Sequence, residues 1–164
     1  MTHKQQGFAT VEFAIGGAVF FVVLFAVVEL GRTLFTWNAL AESTRRAARV
    51  AAVCPVNHSA ILRVALFDGP ATSGAGPVLP DLTEGDFEVS YLDENGDAVA
   101  GPGTNAGFAL IRYVRVATTG YQHTLLIPFV NATFLAPDFS TTLPRESLGV
   151  PRDGVVASCF GSAA

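Results

Sequence analysis

The sequence predicts an α+β fold: a long amino-terminal helix, transmembrane and then amphipathic, followed by a small antiparallel β-rich domain. Three observations predict it. An apolar run without a charged side chain fills Phe13 to Val28. A stretch rich in Ala and Arg, with helical spacing, continues from there to Pro55. The remainder alternates in short segments broken by Gly and Pro. The 164 residues are 50% hydrophobic and 15% charged, with a mean hydropathy of +0.42. That composition excludes disorder across the whole chain and fits one ordinary domain, or an anchor with a smaller one. The net charge is −4, and the single lysine, Lys4, belongs to no basic run. Nucleic acid is therefore not an expected partner, because its binders concentrate basic side chains on one face.

Phe8 to Leu30 reads FATVEFAIGGAVFFVVLFAVVEL. As a helix this segment measures about 35 Å, and its charge-free centre about 24 Å. The full segment is long enough to cross a bilayer. Val, Phe and Gly form helices poorly in water, but in lipid the backbone must satisfy its own hydrogen bonds. A membrane span over residues 8–30 follows. A cleaved secretory signal would need small-x-small close behind the apolar run, yet the nearest candidate, Ala39-Leu40-Ala41, lies beyond Glu29 and Arg32. A plain anchor leaves Glu12 without a purpose, although a carboxylate inside the apolar stretch costs about 2–3 kcal/mol on insertion scales.

After the span, Leu30, Leu34, Trp37, Leu40, Ala41, Thr44, Ala48 and Ala51 recur near helical spacing, and Pro55 stops the pattern. One helix from about Phe8 to Ala52 is expected, residues 31–53 forming its amphipathic, extracytoplasmic part. Glu42 can pair with Arg45 and Arg46, worth a few tenths of a kcal/mol each. The Arg45, Arg46 and Arg49 cluster reads as a solvated helix face rather than a lipid-phosphate site.

Residues 54–164 read as the β-rich domain, with a helix expected only over 60–67. Residues 68–85 are a Gly- and Pro-rich loop. FEVSYLD (87–93) alternates and runs into Asn95-Gly96, a type I′ hairpin signal, with 98–100 as the returning strand. GPGTNAG (101–107) is a second loop, and 108–121 alternates again. LLIPFV (125–130) and FSTTL (139–143) are the later strands, with Pro128 and Pro137 confining them to edges or breaks. Cys54 and Cys159 are the two cysteines. They are either two buried thiols or a disulfide, and the export that the front segment argues for favours the disulfide.

Catalytic and metal chemistry find little support. Asp93, Asn95 and Asp97 have the spacing of the first EF-hand ligands, but Ala98 and Thr104 stand where the loop needs Gly and Glu. The glycines of 101–107 miss the dinucleotide-binding spacing. His3, His58 and His123 lack the spacing of a zinc site. There is no GxSxG, and a Cys159–His123 nucleophile fits less well than a cysteine pair. The glycosylation sequons at Asn57 and Asn131 read as incidental. No enzyme, cofactor or metal is expected.

Gly7, then Phe8, then Glu12 at the opening of a hydrophobic helix resembles the prepilin processing site. The resemblance implies that a membrane peptidase cuts after Gly7, releases the leader 1–7 and exposes Phe8, often methylated, as the new terminus. It also implies that Glu12 offsets the terminal charge of a neighbouring subunit; opposite charges 4 Å apart attract by about 4 kcal/mol at an effective dielectric of 20. ATVEFA, the apolar run, ELGR and ESTRRAARVAA together are similar to the TadE family, minor pilins (pseudopilins) of the Tad/Flp tight-adherence system. That likeness covers about the first 50 residues. It implies a pilin-like architecture, helix packing through Ala14, Gly17 and Ala18, and work in assembly rather than catalysis. The implied partners are a prepilin peptidase, other pilin and pseudopilin subunits, the inner-membrane assembly platform and the lipid bilayer. The implied location is the bacterial inner membrane, single-pass, with the amino terminus cytoplasmic and the carboxy-terminal domain periplasmic. Lys4 before the span against Arg32, Arg45, Arg46 and Arg49 after it reverses the positive-inside bias; the processing motif and the cysteine pair outweigh that count. The alternative is a bitopic envelope protein whose periplasmic domain binds a ligand or surface, with no filament role.

Overall fold

A computed structural model of the chain describes residues 6–67, 78–127, 132–150 and 159. The expectations for 1–5, 68–77, 128–131, 151–158 and 160–164 lie outside these residues. The first helix, α1, is Gln6–Val53 and runs for 48 residues. Two short helices follow, α2 (Ala60–Ala65) and α3 (Asn105–Leu110), with five strands: β1 (Phe87–Leu92), β2 (Tyr113–Thr118), β3 (Gln122–Thr124), β4 (Thr133–Leu135) and β5 (Ser140–Pro144). The fold is α+β, a long amino-terminal helix followed by small antiparallel sheets. The chain divides into two compact units, Met1–Phe35 with His123–Phe134, and Thr36–Gln122 with Leu135–Ala164.

In the larger unit the core joins the second half of α1 to a three-stranded sheet in the order β1-β2-β5. Both pairings are antiparallel, from Phe87↔Thr118 to Leu92↔Tyr113 and from Tyr113↔Pro144 to Ala117↔Ser140. Alternation in β2 turns Val114, Val116 and Thr118 inward and leaves Tyr113 and Arg115 outside. The helix meets this core with Leu40, Ala47, Ala48 and Ala51, all fully buried. The small side chains of Ala47, Ala48 and Ala51 let the elements approach closely, as Thr44 Oγ1 does in reaching Thr141 Oγ1 at 3.1 Å. The buried stripe starts near Thr36; Leu30 and Leu34, which the spacing placed in it, are exposed. Cys54 and Cys159 form a disulfide, with Cα atoms 5.5 Å apart and a sequence separation of 105.

Three local expectations change. The Asn95-Gly96 turn is not type I′, because only Gly96 is left-handed, at φ +87°. Gly96 N–H donates to the Asp93 carbonyl and Asp93 N–H to that of Asp97, so three residues close the loop, with the glycine where a bulge requires positive φ. Only one bridge, Leu92↔Ala98, stands for the returning strand. Residues 105–110, read as loop and strand, are helical because the Thr104 hydroxyl caps them, accepting from Gly107 N–H at 3.1 Å. Gly107 is required there, since a Cβ would run into the Gly101 carbonyl. Of the expected strand 125–130, Leu125–Ile127 are not strand; the chain pairs earlier, in β3.

Candidate functional site at the end of the apolar helix

The first helical segment contains the apolar run, and it is exposed along its whole apolar window. It is the one helix among the described residues long and apolar enough to cross a membrane. Phe8 is 77% exposed. Glu12, Ala14 and Ala18 are exposed and Gly17 is half-buried, with open space where its Cβ would stand. Gly7 lies in the first turn of α1.

The charge-free run ends at Glu29, and there the helix stops being bare. Glu29 is 6% exposed and His123 is 3% exposed. Arg32, one turn on, places Nη1 2.7 Å and 2.9 Å from the two carboxylate oxygens. His123 reaches Oε1 through Nε2 at 3.1 Å. The backbone N–H of Leu126 donates to Oε2 at 3.3 Å. An ionised carboxylate can only accept hydrogen bonds, so in this arrangement the His123 hydrogen sits on Nε2. An unpaired buried carboxylate costs several kcal/mol; an arginine, an imidazole and a backbone amide all offset that cost here.

The hairpin that brings His123 in follows from simple alternation. Within β3, Gln122 and Thr124 face outward and His123 inward. Leu125 N–H donates to the Ala132 carbonyl at 3.0 Å, closing β3 against β4. The Phe134 ring lies 5.0 Å from the imidazole, centroid to centroid. On the helix side the Thr33 hydroxyl donates to the Glu29 carbonyl at 2.9 Å. The result is a clasp that fixes a loop of the carboxy-terminal half to the end of the apolar segment. Chemically it offsets the charge of a carboxylate and fixes the orientation of an imidazole ring.

The sequence points to Glu12 as the significant carboxylate and treats Glu29 only as part of ELGR. Glu29 and Arg32 are neighbours at i,i+3 immediately after the charge-free run, a local signal that could have marked them. Their partner His123 lies 94 positions away, and no local pattern announces it. Elsewhere, the expected Glu42 pairs are present, to Arg45 at 3.1 Å and Arg46 at 2.9 Å. The Arg46 bond first, then that of Arg45, holds the exposed Glu42 carboxyl below its ordinary range. Arg46 also lies over the Phe67 ring, 5.1 Å from its centroid. Asp93 Oδ1 accepts from Asn95 N–H and Asp97 N–H at 2.8 Å and 3.0 Å, serving its own turn. Among the described residues no group of three or more His, Cys, Asp or Glu is placed to hold a metal ion.

No curated relative and no solved structure matches this chain. The family model described as TadE-like protein matches residues 7–49. That match begins at Gly7, takes in Glu12, the whole apolar run and the Glu29–Arg32 pair, and ends at Arg49. Over this stretch, carried on a helix long and apolar enough to cross a membrane, the chain is similar to the TadE-like proteins.

Proposed function

We propose that the chain is a minor pilin (pseudopilin) that helps assemble or initiate Tad/Flp adhesion pili. The observation that carries this reading is the overlap of the family match, residues 7–49, with an exposed apolar helix, Phe8–Val53, that is long enough to cross a membrane. A prepilin peptidase cuts between Gly7 and Phe8. Residues 8–30 remain in the inner membrane or pack beside other pilin helices, where Ala14, Gly17 and Ala18 permit close approach. The carboxy-terminal domain is periplasmic, which suits a Cys54–Cys159 disulfide. The work is assembly on the inner-membrane platform, without catalysis. Glu12, exposed on the apolar segment, sets register against the terminal amine of a neighbouring subunit.

The intact mass of the protein recovered from host membranes tests the reading. A chain beginning at Phe8, oxidised at its two cysteines, is expected. A chain that keeps residues 1–7 in a host with active prepilin peptidase overturns processing and favours a simple anchored envelope domain. Glu12→Ala is expected to insert normally in the membrane and to lower the number of pili per cell; unchanged pilus counts overturn the register role.

A further inference from the structure

The hairpin held by the clasp exposes the wrong kind of side chain for water at the depth where it sits. Leu126 is 67% exposed, yet its backbone N–H is taken up by Glu29, the residue directly after Val28 at the close of the charge-free run. Leu126 is therefore held at the level where the apolar segment ends. Leu125 and Ile127 flank it, both half-buried, and Leu125 N–H is paired with Ala132. In sequence the apolar run carries on to Val130 without a charge. Several of its polar groups pair within the protein: the Glu29 carboxylate with Arg32, His123 and Leu126 N–H, and Leu125 N–H with the Ala132 carbonyl. Polar groups satisfied within the protein while leucine faces outward is the pattern that lipid requires and water does not. The neighbouring helix surface is equally apolar and exposed, with Val27, Val28 and Leu30 each more than half uncovered.

We propose that the Leu125–Ile127 segment is a second membrane contact, which rests in the lipid interface beside the span and is held there by the Glu29–His123–Arg32 clasp. The occupant of this surface is the bilayer itself. The argument for lipid is continuity: Leu126 extends the lipid-facing surface of residues 8–30 at its outer edge, and Glu29 ties the two together. The inference rests on the reading of residues 8–30 as a span.

The test uses the full chain reconstituted in phosphatidylcholine–phosphatidylglycerol vesicles, with one cysteine added at a time and labelled with an environment-sensitive fluorophore under non-reducing conditions. Leu126→Cys reports the hairpin, Val19→Cys the centre of the span, and Glu94→Cys the exposed turn of the larger unit. Lipids carrying a nitroxide near the headgroup or near the chain end act as quenchers. The expected result is several-fold stronger quenching at position 126 by the shallow nitroxide than by the deep one. Position 19 should show the reverse and position 94 neither. Quenching at 19 without quenching at 126 overturns the hairpin contact and leaves the span standing. A blue-shifted label at 126 that neither nitroxide quenches overturns it in favour of a second copy of the chain covering the site. No quenching at either 19 or 126 overturns the span and the inference together. Adding His123→Ala to Leu126→Cys should weaken the shallow quenching at 126 without altering that at 19 in Val19→Cys; unaltered quenching at 126 overturns the role of the clasp.

Discussion

The two stretches of α1 satisfy opposite demands with the same backbone. Between Phe8 and Val28 the helix carries large apolar side chains, among them Phe13, Phe20 and Phe21, and exposes them. Between Thr36 and Ala52 it carries Ala, Ser and Thr on one face and buries them, with Ser43 and Thr44 bonding back to the Leu40 and Ala41 carbonyls. A surface that meets lipid gains from bulk and needs no precise neighbour. A surface that meets a sheet needs small residues, because the backbones must approach closely. The lesson is that burial in this chain cannot be judged from hydrophobicity alone: the most apolar segment is the least buried one.

That contrast predicts different responses to the same insult. The largest effect should come from Cys54→Ser with Cys159→Ser. A loop of this length contributes about 4–5 kcal/mol by chain-entropy arguments. Urea unfolding in detergent, followed through the single tryptophan, Trp37, should shift to lower denaturant by that amount, while the helical signal of the apolar segment persists. Equal stability with and without the bond would mean that the bond only secures the carboxy-terminal end.

Next in size, Leu40→Ala or Val114→Ala should each cost about 2–4 kcal/mol in the same titration, since both side chains are fully buried. Phe21→Ala, which removes more carbon from a side chain 56% exposed, should leave the midpoint in place. A comparable loss for Phe21→Ala would erase the distinction between the two stretches.

A smaller loss, about 1–3 kcal/mol, is expected for His123→Ala, which leaves the buried Glu29 carboxylate one partner short. Hydrogen exchange should quicken at Leu125 and Leu126 and remain slow in β2. Accelerated exchange across the β1-β2-β5 sheet would show that the clasp supports the core as well.

The smallest effect concerns the exposed turn. The Asp97 backbone N–H first, then that of Asn95, holds the Asp93 carboxyl below its ordinary range. A carboxyl with a lowered folded-state pKa contributes stability that is present above its unfolded value and is lost as pH falls through the folded one. The amide resonances of Asn95 and Asp97 should therefore move below the usual aspartate range and stay put at neutral pH. An Asp93→Asn variant should lack that titration and keep the sheet.

The sequence by itself determined the elements whose cause is local. A charge-free run of this length forms a helix suited to lipid, Pro55 limits the helix that follows, and alternation in 87–92 and 113–118 yields paired strands. The cysteine pair also came through, because only two were present and the front segment argued for export. Two local details escaped. The cap at Thr104 hid inside a Gly-rich stretch, and the left-handed Gly96 served a bulged three-residue loop. Only the tertiary structure decided which carboxylate matters beyond the motif. Glu29 acquires its place from His123 and Leu126, 94 and 97 positions away, and contacts at that separation depend on how β3 is delivered to the helix. Local sequence sets dihedrals and faces; the partner of a buried charge is set by chain topology, which no window of residues contains.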